Sequence, residues 1–206
     1  MANIEPNLAR RSERARRAIL TSAWRLFRGR GLRELTIEAI AAQAGVGKAT
    51  IYRWWPSKNA VLMEALQAHL DPEFPFPDTG SVRTDLRMQI AGVIRLLTTT
   101  SVGRAYLALV AESQHDPVLA RDLAERYIAA RRAGATALLR RGIERGELRS
   151  DLDPEITIDA LWGAVYYRLL VSHDPPDPDY ADTLVEQLYP ALENRRGWSA
   201  EDPGSL

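Results

Sequence analysis

Four side chains within six positions, Lys48, Thr50, Tyr52 and Arg53, bring together two cations, a hydroxyl carrying a methyl group, and a phenol. That set suits nucleic acid, with the phenol able to donate to phosphate. No acidic residue interrupts the stretch 47–53. A second pair, Glu112 and His115, is three residues apart and could share a helical face as metal ligands or as an acid-base pair. Nothing joins it: His69 and His173 lie at or near expected helix ends, and no phosphate-binding glycine loop or activated nucleophile motif is present. The absence of cysteine excludes disulfides, thiol redox sensing and cysteine zinc sites. No catalysis, metal or cofactor is therefore expected, and His115, just before Asp116-Pro117, reads as a helix-end residue.

Positioning the first set requires a short scaffold. Ile37, Ile40, Ala41 and Ala44 fall on one helical face, and Gly45 follows as the residue able to take positive φ and end that helix. Ala41 is small where a second helix must cross closely, and Ile51 points back from the middle of that second helix. The two helices should cross steeply and leave the outer face of 47–53 free, the outline of a helix-turn-helix reader of DNA. Thr36 and Ser57 are placed to cap the flanking helices, which puts Lys58 in a first turn, where the helix dipole disfavours a cation unless an outside anion compensates it.

The charge distribution supports a polyanion partner. The chain is neutral overall, with 27 basic and 27 acidic residues, yet residues 1–60 hold 12 Lys and Arg against 4 Asp and Glu. A neutral total made of a basic and an acidic portion indicates that one portion meets nucleic acid and the other does not. Arg10, Arg11, Arg14, Arg16 and Arg17 lie just before or within the first helix, either as a solvated basic tail or as a phosphate or minor-groove arm. No apolar run approaches the roughly 20 residues that cross a bilayer, and the N-terminus lacks the apolar core of a signal peptide, so no membrane partner and a cytoplasmic location are expected.

Helical periodicity continues to the end and strand signals are absent. Leu20, Ala23, Trp24 and Phe27 form the expected inner face of the first helix. Further helices are expected from Ser57 to about Asp71, over about 82–97 and 102–114, and after the Asp-Pro steps over about 117–147, 154–172 and 178–194. The arginines at 131, 132, 140, 141, 145 and 149 read as a solvated helix face. The helix at 154–172 is apolar almost all round and needs cover on two sides. Its own domain can supply one side and a second copy the other, with Ala160, Gly163 and Ala164 allowing close approach and Leu161, Val165, Tyr166, Tyr167, Leu169 and Leu170 supplying area. Leu184 and Leu188 of the last helix would join them. Complete burial within one chain is the alternative. Arg87, Gln89, Tyr106, Glu112, His115, Tyr127 and Trp162 are candidates to line a small-molecule pocket, or are plain core and surface.

The run from Ala18 to Leu66, with Gly31, Thr36, Ala41, Gly45, Val46, Tyr52 and Lys58 in unbroken register, resembles the N-terminal domain of tetracycline-repressor-like (TetR family) transcriptional regulators. The resemblance implies that Thr36, Lys48, Thr50, Tyr52 and Lys58 contact DNA, with Tyr52 and Lys58 on phosphate. It also implies an inducer pocket and a four-helix dimer interface from the last two helices. Trp54 departs from the usual His or Tyr, keeping a donor N–H while adding bulk, and Trp55 occupies an aromatic core position. The expected fold is all-α: a three-helix DNA-binding head at 1–57, a six-helix ligand-sensing and dimerising body at 58–196, and a disordered tail at 197–206. The expected function is that of a homodimeric regulator, expected to be a repressor, that binds a palindromic double-stranded operator and answers to an unknown small-molecule inducer; a DNA-binding architectural or interaction protein without a ligand is the alternative.

Overall fold

The computed structural model describes the backbone of residues 5–69, 75–177 and 179–194, and their side chains from residue 12 onward. The side chains of Arg10 and Arg11, residue Pro178 and the tail at 197–206 lie outside the described residues. Ten α-helices follow in order: α1 Glu5–Arg30, α2 Ile37–Ala44, α3 Lys48–Tyr52, α4 Lys58–Gln67, α5 Val82–Thr99, α6 Ser101–Ser113, α7 Pro117–Leu123, α8 Ala129–Glu144, α9 Pro154–Leu170 and α10 Tyr180–Leu192. No strand occurs among the described residues, and no single helix there is long and apolar enough to cross a membrane.

Local chemistry sets most boundaries. Asp116 accepts from the N–H groups of Val118 and Leu119, both at 3.1 Å, and Asp153 from those of Glu155 at 2.8 Å and Ile156 at 3.3 Å, each with proline at the first helical position. The third Asp-Pro step works differently. Asp177 accepts from the N–H of Tyr180 at 2.9 Å, so α10 begins two residues later than the sequence suggests. The helix expected over 117–147 is one path of α7 and α8 joined by a π-helical turn at Ala124–Ile128, and it stops at Glu144 ahead of Gly146 with φ 72°. The basic arm lies within the first helix rather than before it, because α1 starts at Glu5.

The chain packs as two compact units. The first holds α1–α4 with α6 and α7, and the second holds α5, α8, α9 and α10. In the first, α1 packs on α2 and α4, and α4 packs in turn on α6 and α7. Ile19, Ala23, Trp24, Phe27, Leu35, Ile40, Val61, Leu62 and Leu66 are buried there; Ile19 rather than Leu20 is the fully buried residue of that helical turn. His69 closes the end of α4, its ring stacked on Trp24 at 4.2 Å between centroids and its Nδ1 2.8 Å from the Ala65 carbonyl. The buried Trp55 donates from Nε1 to Glu64 Oε2 at 2.7 Å, and the other oxygen of Glu64 is ion-paired with Arg16. One carboxylate thus ties α1, the end of the α3 segment and α4.

The second unit is built on a core of Val82, Leu86, Ile90 and Ile94 from α5, Leu138 and Leu139 from α8, Ile158, Leu161 and Val165 from α9, and Leu184, Val185 and Tyr189 from α10. Close approach depends on Gly142, where an added Cβ would lie 2.7 Å from Val82 Cγ2 and 2.9 Å from Leu148 Cδ1. The arginine-rich face of α8 is neutralised locally: Arg132 pairs with Glu155 and Asp159, Arg141 and Arg145 with Asp78, and Arg149 with Asp151.

Two stability predictions follow from this packing. Alanine at a helix-interior glycine ordinarily stabilises by roughly 0.8–1 kcal/mol, but the contacts around Gly142 reverse the sign, so Gly142→Ala should lower unfolding free energy by about 1–2 kcal/mol in urea titration. Trp55→Phe should cost about 1.5–3 kcal/mol by the same measurement, because a hydrogen bond to a charged carboxylate is lost.

Candidate nucleic-acid interface

The recognition elements are short and held from behind. Thr36 Oγ1 accepts from the Ala39 N–H at 3.1 Å and starts α2. At its other end Gly45 takes φ 68°, the left-handed conformation that glycine adopts without steric cost, and the Val46 N–H returns to the Ala41 carbonyl at 3.1 Å. Gly47 is extended and α3 begins at Lys48. Within this five-residue helix only Ile51 is buried, and its carbonyl accepts from the N–H groups of both Trp54 and Trp55, at 2.9 and 3.0 Å. The outer face of α3 is left exposed.

That face carries Lys48, Tyr52, Arg53 and Trp54 in the open and Thr50 half-exposed, as expected from the sequence. Tyr52 is 54% exposed and Trp54 37%, and the Trp54 ring stacks on the buried Trp55 at 6.0 Å between centroids. Trp54 therefore sits on a fixed platform and remains partly open to solvent. Thr36 is also exposed, and Arg14 is exposed on α1. Lys58 is half-buried, and its Nζ donates to the Leu32 carbonyl at 3.1 Å. A backbone carbonyl thus takes one of the three donors of a cation in the first turn of α4. Arg16, expected as part of the arm, is engaged by Glu64 instead.

No acid lies within 47–53, but the crossing of α2 over α3 brings Glu38 Oε1 to 3.1 Å from Lys48 Nζ, with both side chains largely exposed. A backbone N–H and then Lys48 hold the Glu38 carboxyl below the usual carboxylate range. The two residues are ten apart in the chain and on different helices, so no local pattern reveals the pair.

The residues expected to line a ligand pocket divide between the two compact units. Tyr106, Glu112 and His115 belong to the first compact unit, and Arg87, Gln89, Tyr127 and Trp162 to the second. Glu112 and His115 are exposed at the end of α6, where His115 was also read as a helix-end residue. Arg87 is committed to Asp182 at 3.2 Å and Glu186 at 2.9 Å on α10. Tyr106 is buried, and Trp162 packs on the second core. Gln89 is fully buried on α5 with no protein partner for its Nε2. Tyr127 sits in the π-helical turn, where burial pushes its phenol up to about 12, with Tyr166 adding to the rise and Arg131 opposing it.

The residues expected at a dimer seam divide as well. Leu161 and Val165 are 1% and 0% exposed in the core of their own chain, and Leu184 is buried there, because these positions of α9 and α10 face α5 and α8. Tyr166, Leu169, Leu170 and Leu188 are half-buried. Ala160, Gly163 and Tyr167, also expected at the seam, do lie on the outward face of α9, together with Ile156 and, just past the helix, Val171.

Comparison with known proteins agrees with the geometry. The profile of bacterial regulatory proteins of the tetR family matches residues 19–65, and that of the tetracyclin repressor-like C-terminal domain matches residues 76–188. The chain is 36% identical over 183 residues to the uncharacterized HTH-type transcriptional regulator YdeS of Bacillus subtilis (strain 168), spanning 89% of this chain and 92% of that protein. It is 30% identical over 181 residues to the DNA-binding transcriptional repressor TetR of Mycobacteroides abscessus, spanning 86% and 93%. The crystal structure of the TetR family transcription regulator SCO0332 matches with a TM-score of 0.67 at 38% identity, over 85% of this chain and 97% of that one. With a helix-turn-helix whose outer face is cationic and aromatic, and with both halves matched by the family, the chain belongs to the TetR family of DNA-binding transcriptional regulators and is not an enzyme.

Proposed function

We propose that the protein is a cytoplasmic homodimeric repressor that binds a palindromic operator through residues 1–57 and releases it when a small organic molecule binds within residues 58–196. The observation that carries the DNA part is the exposed row of Lys48, Tyr52, Arg53 and Trp54 on a helix fixed from behind by Ile51 and Trp55. Thr36, Thr50 and Arg14 extend it, and Lys58 braces it through Leu32. Recognition helices of a symmetric dimer reach successive major grooves when they stand about 34–36 Å apart. Because α4 packs on α1 and also on α6 and α7, a shift of α6 or α7 on ligand binding would tilt the head through α4.

The outward stripe of α9 supports the dimer. Ile156, Tyr167 and Val171 are 68%, 60% and 61% exposed, and Ala160 and Gly163 between them leave room for a close neighbour. An exposed apolar row of this length has a purpose when a second copy covers it. The buried Gln89, whose amide nitrogen has no protein partner, supports a ligand site near α5. An open groove of about 630 Å³ lies beside Arg132, Thr136, Arg140 and Glu155, and none of the seven expected ligand residues lines it.

Loss of Tyr52 and Arg53 should weaken binding to DNA of any sequence, and Arg53→Ala should reduce the slope of log K against log salt by about 0.9. Fluorescence anisotropy on a genomic-fragment duplex at several salt concentrations measures both; unchanged affinity in the Tyr52→Phe, Arg53→Ala double variant would remove α3 from the interface. Tyr167→Arg should give folded monomers in sedimentation at micromolar concentration, whereas Leu161→Arg should unfold the second unit, since it puts a charge in a core. Ligand coupling of roughly 1–3 kcal/mol would appear as about 5- to 150-fold weaker DNA binding in a compound screen read by thermal shift and DNA release. A panel that gives neither would leave the ligand-free reading standing.

A further inference from the structure

The ion pair of Glu38 and Lys48 stands on the DNA-facing surface, with side chains 65% and 57% exposed and Nζ to Oε1 at 3.1 Å. A carboxylate there opposes a polyanion, and an acid in the first turn of α2 would serve the helix dipole without reaching across to α3. As a solvent-exposed carboxylate Glu38 is ionised at neutral pH and offers acceptors only. Lys48 offers donors only, and it is the first residue of the recognition helix, the end that meets base edges. Acceptor and donor therefore stand side by side. In the major groove the cytosine amino group lies beside guanine O6 and N7, a donor next to two acceptors, and carboxylates pair with cytosine N4 as lysines pair with guanine.

We propose that Glu38 and Lys48 together read one C·G base pair in each operator half-site, Glu38 accepting from cytosine N4 and Lys48 donating to guanine. This rests on the operator reading above and adds to it a specificity residue and the base pair it selects. Before DNA arrives the two side chains neutralise each other, which lowers the attraction of Lys48 for phosphate of any sequence.

The test is selection by the full chain from a random-sequence duplex library, repeated with Glu38→Gln and Glu38→Ala, whose exposed position leaves the fold intact. The wild-type protein should select sites with a C·G pair at one symmetric position. Glu38→Gln should change that position alone toward A·T, because glutamine pairs with adenine N6 and N7. In competition between duplexes differing at that pair, wild-type discrimination of about 5- to 150-fold should fall to near unity in Glu38→Ala. Identical selected sites in all three proteins would overturn the proposal. So would tighter binding of every duplex by the variants with base preference unchanged, since Glu38 would then act only on phosphate attraction. A wild-type protein that selects no sequence overturns the operator reading itself, and with it this proposal.

Discussion

Burial of Ile51 is the constraint on which the recognition surface depends. A helix of five residues is far too short to persist on its own, since nucleation is unfavourable and few hydrogen bonds follow it. Its shape is imposed by one side chain held in the core, by the Gly45 turn that delivers the chain to it, and by Trp54 and Trp55, whose N–H groups close on the Ile51 carbonyl. Lys48, Thr50, Tyr52 and Arg53 point outward because Ile51 points inward.

Glu64 extends that constraint into the rest of the first unit. Its carboxylate receives Trp55 and Arg16, so the end of the recognition segment, the basic first helix and α4 share one anchor. α4 also lies against α6 and α7, which places the head and those two helices in a single packed unit. The units defined by packing therefore differ from a division at residue 57, which separates helices by the partner they would meet. A displacement in α6 or α7 has a short mechanical path to α1 through side chains that are already in contact.

Electrostatics separate the two portions of the chain more sharply than a count of charges does. In the second unit Arg132, Arg141, Arg145 and Arg149 face carboxylates a few ångströms away, in solvent-screened pairs that contribute little to stability. These pairs leave that face with little net field. On the head, Arg53 and Tyr52 stand on an exposed surface, and Lys48 beside them is tied to an acid across two helices rather than within one.

What the sequence determined was whatever depends on neighbours close in the chain. The caps at Thr36, Ser57, Asp116 and Asp153, the glycine at 45, and the outward register of 48–53 all follow from spacing and backbone chemistry, and the structure places them as read. The family register from Ala18 to Leu66 was likewise legible. Tertiary structure alone decided which side of an all-round apolar helix is core. In α9, Leu161 and Val165 went inward and Ile156 and Tyr167 outward, because the positions of α5, α8 and α10, not local periodicity, define the buried side. It also decided the fate of individual charges: Arg16 was taken by Glu64, Lys58 by a carbonyl of another loop, and Lys48 by Glu38. Those pairings join residues 48, 26 and 10 positions apart, distances at which helix periodicity carries no information about contact.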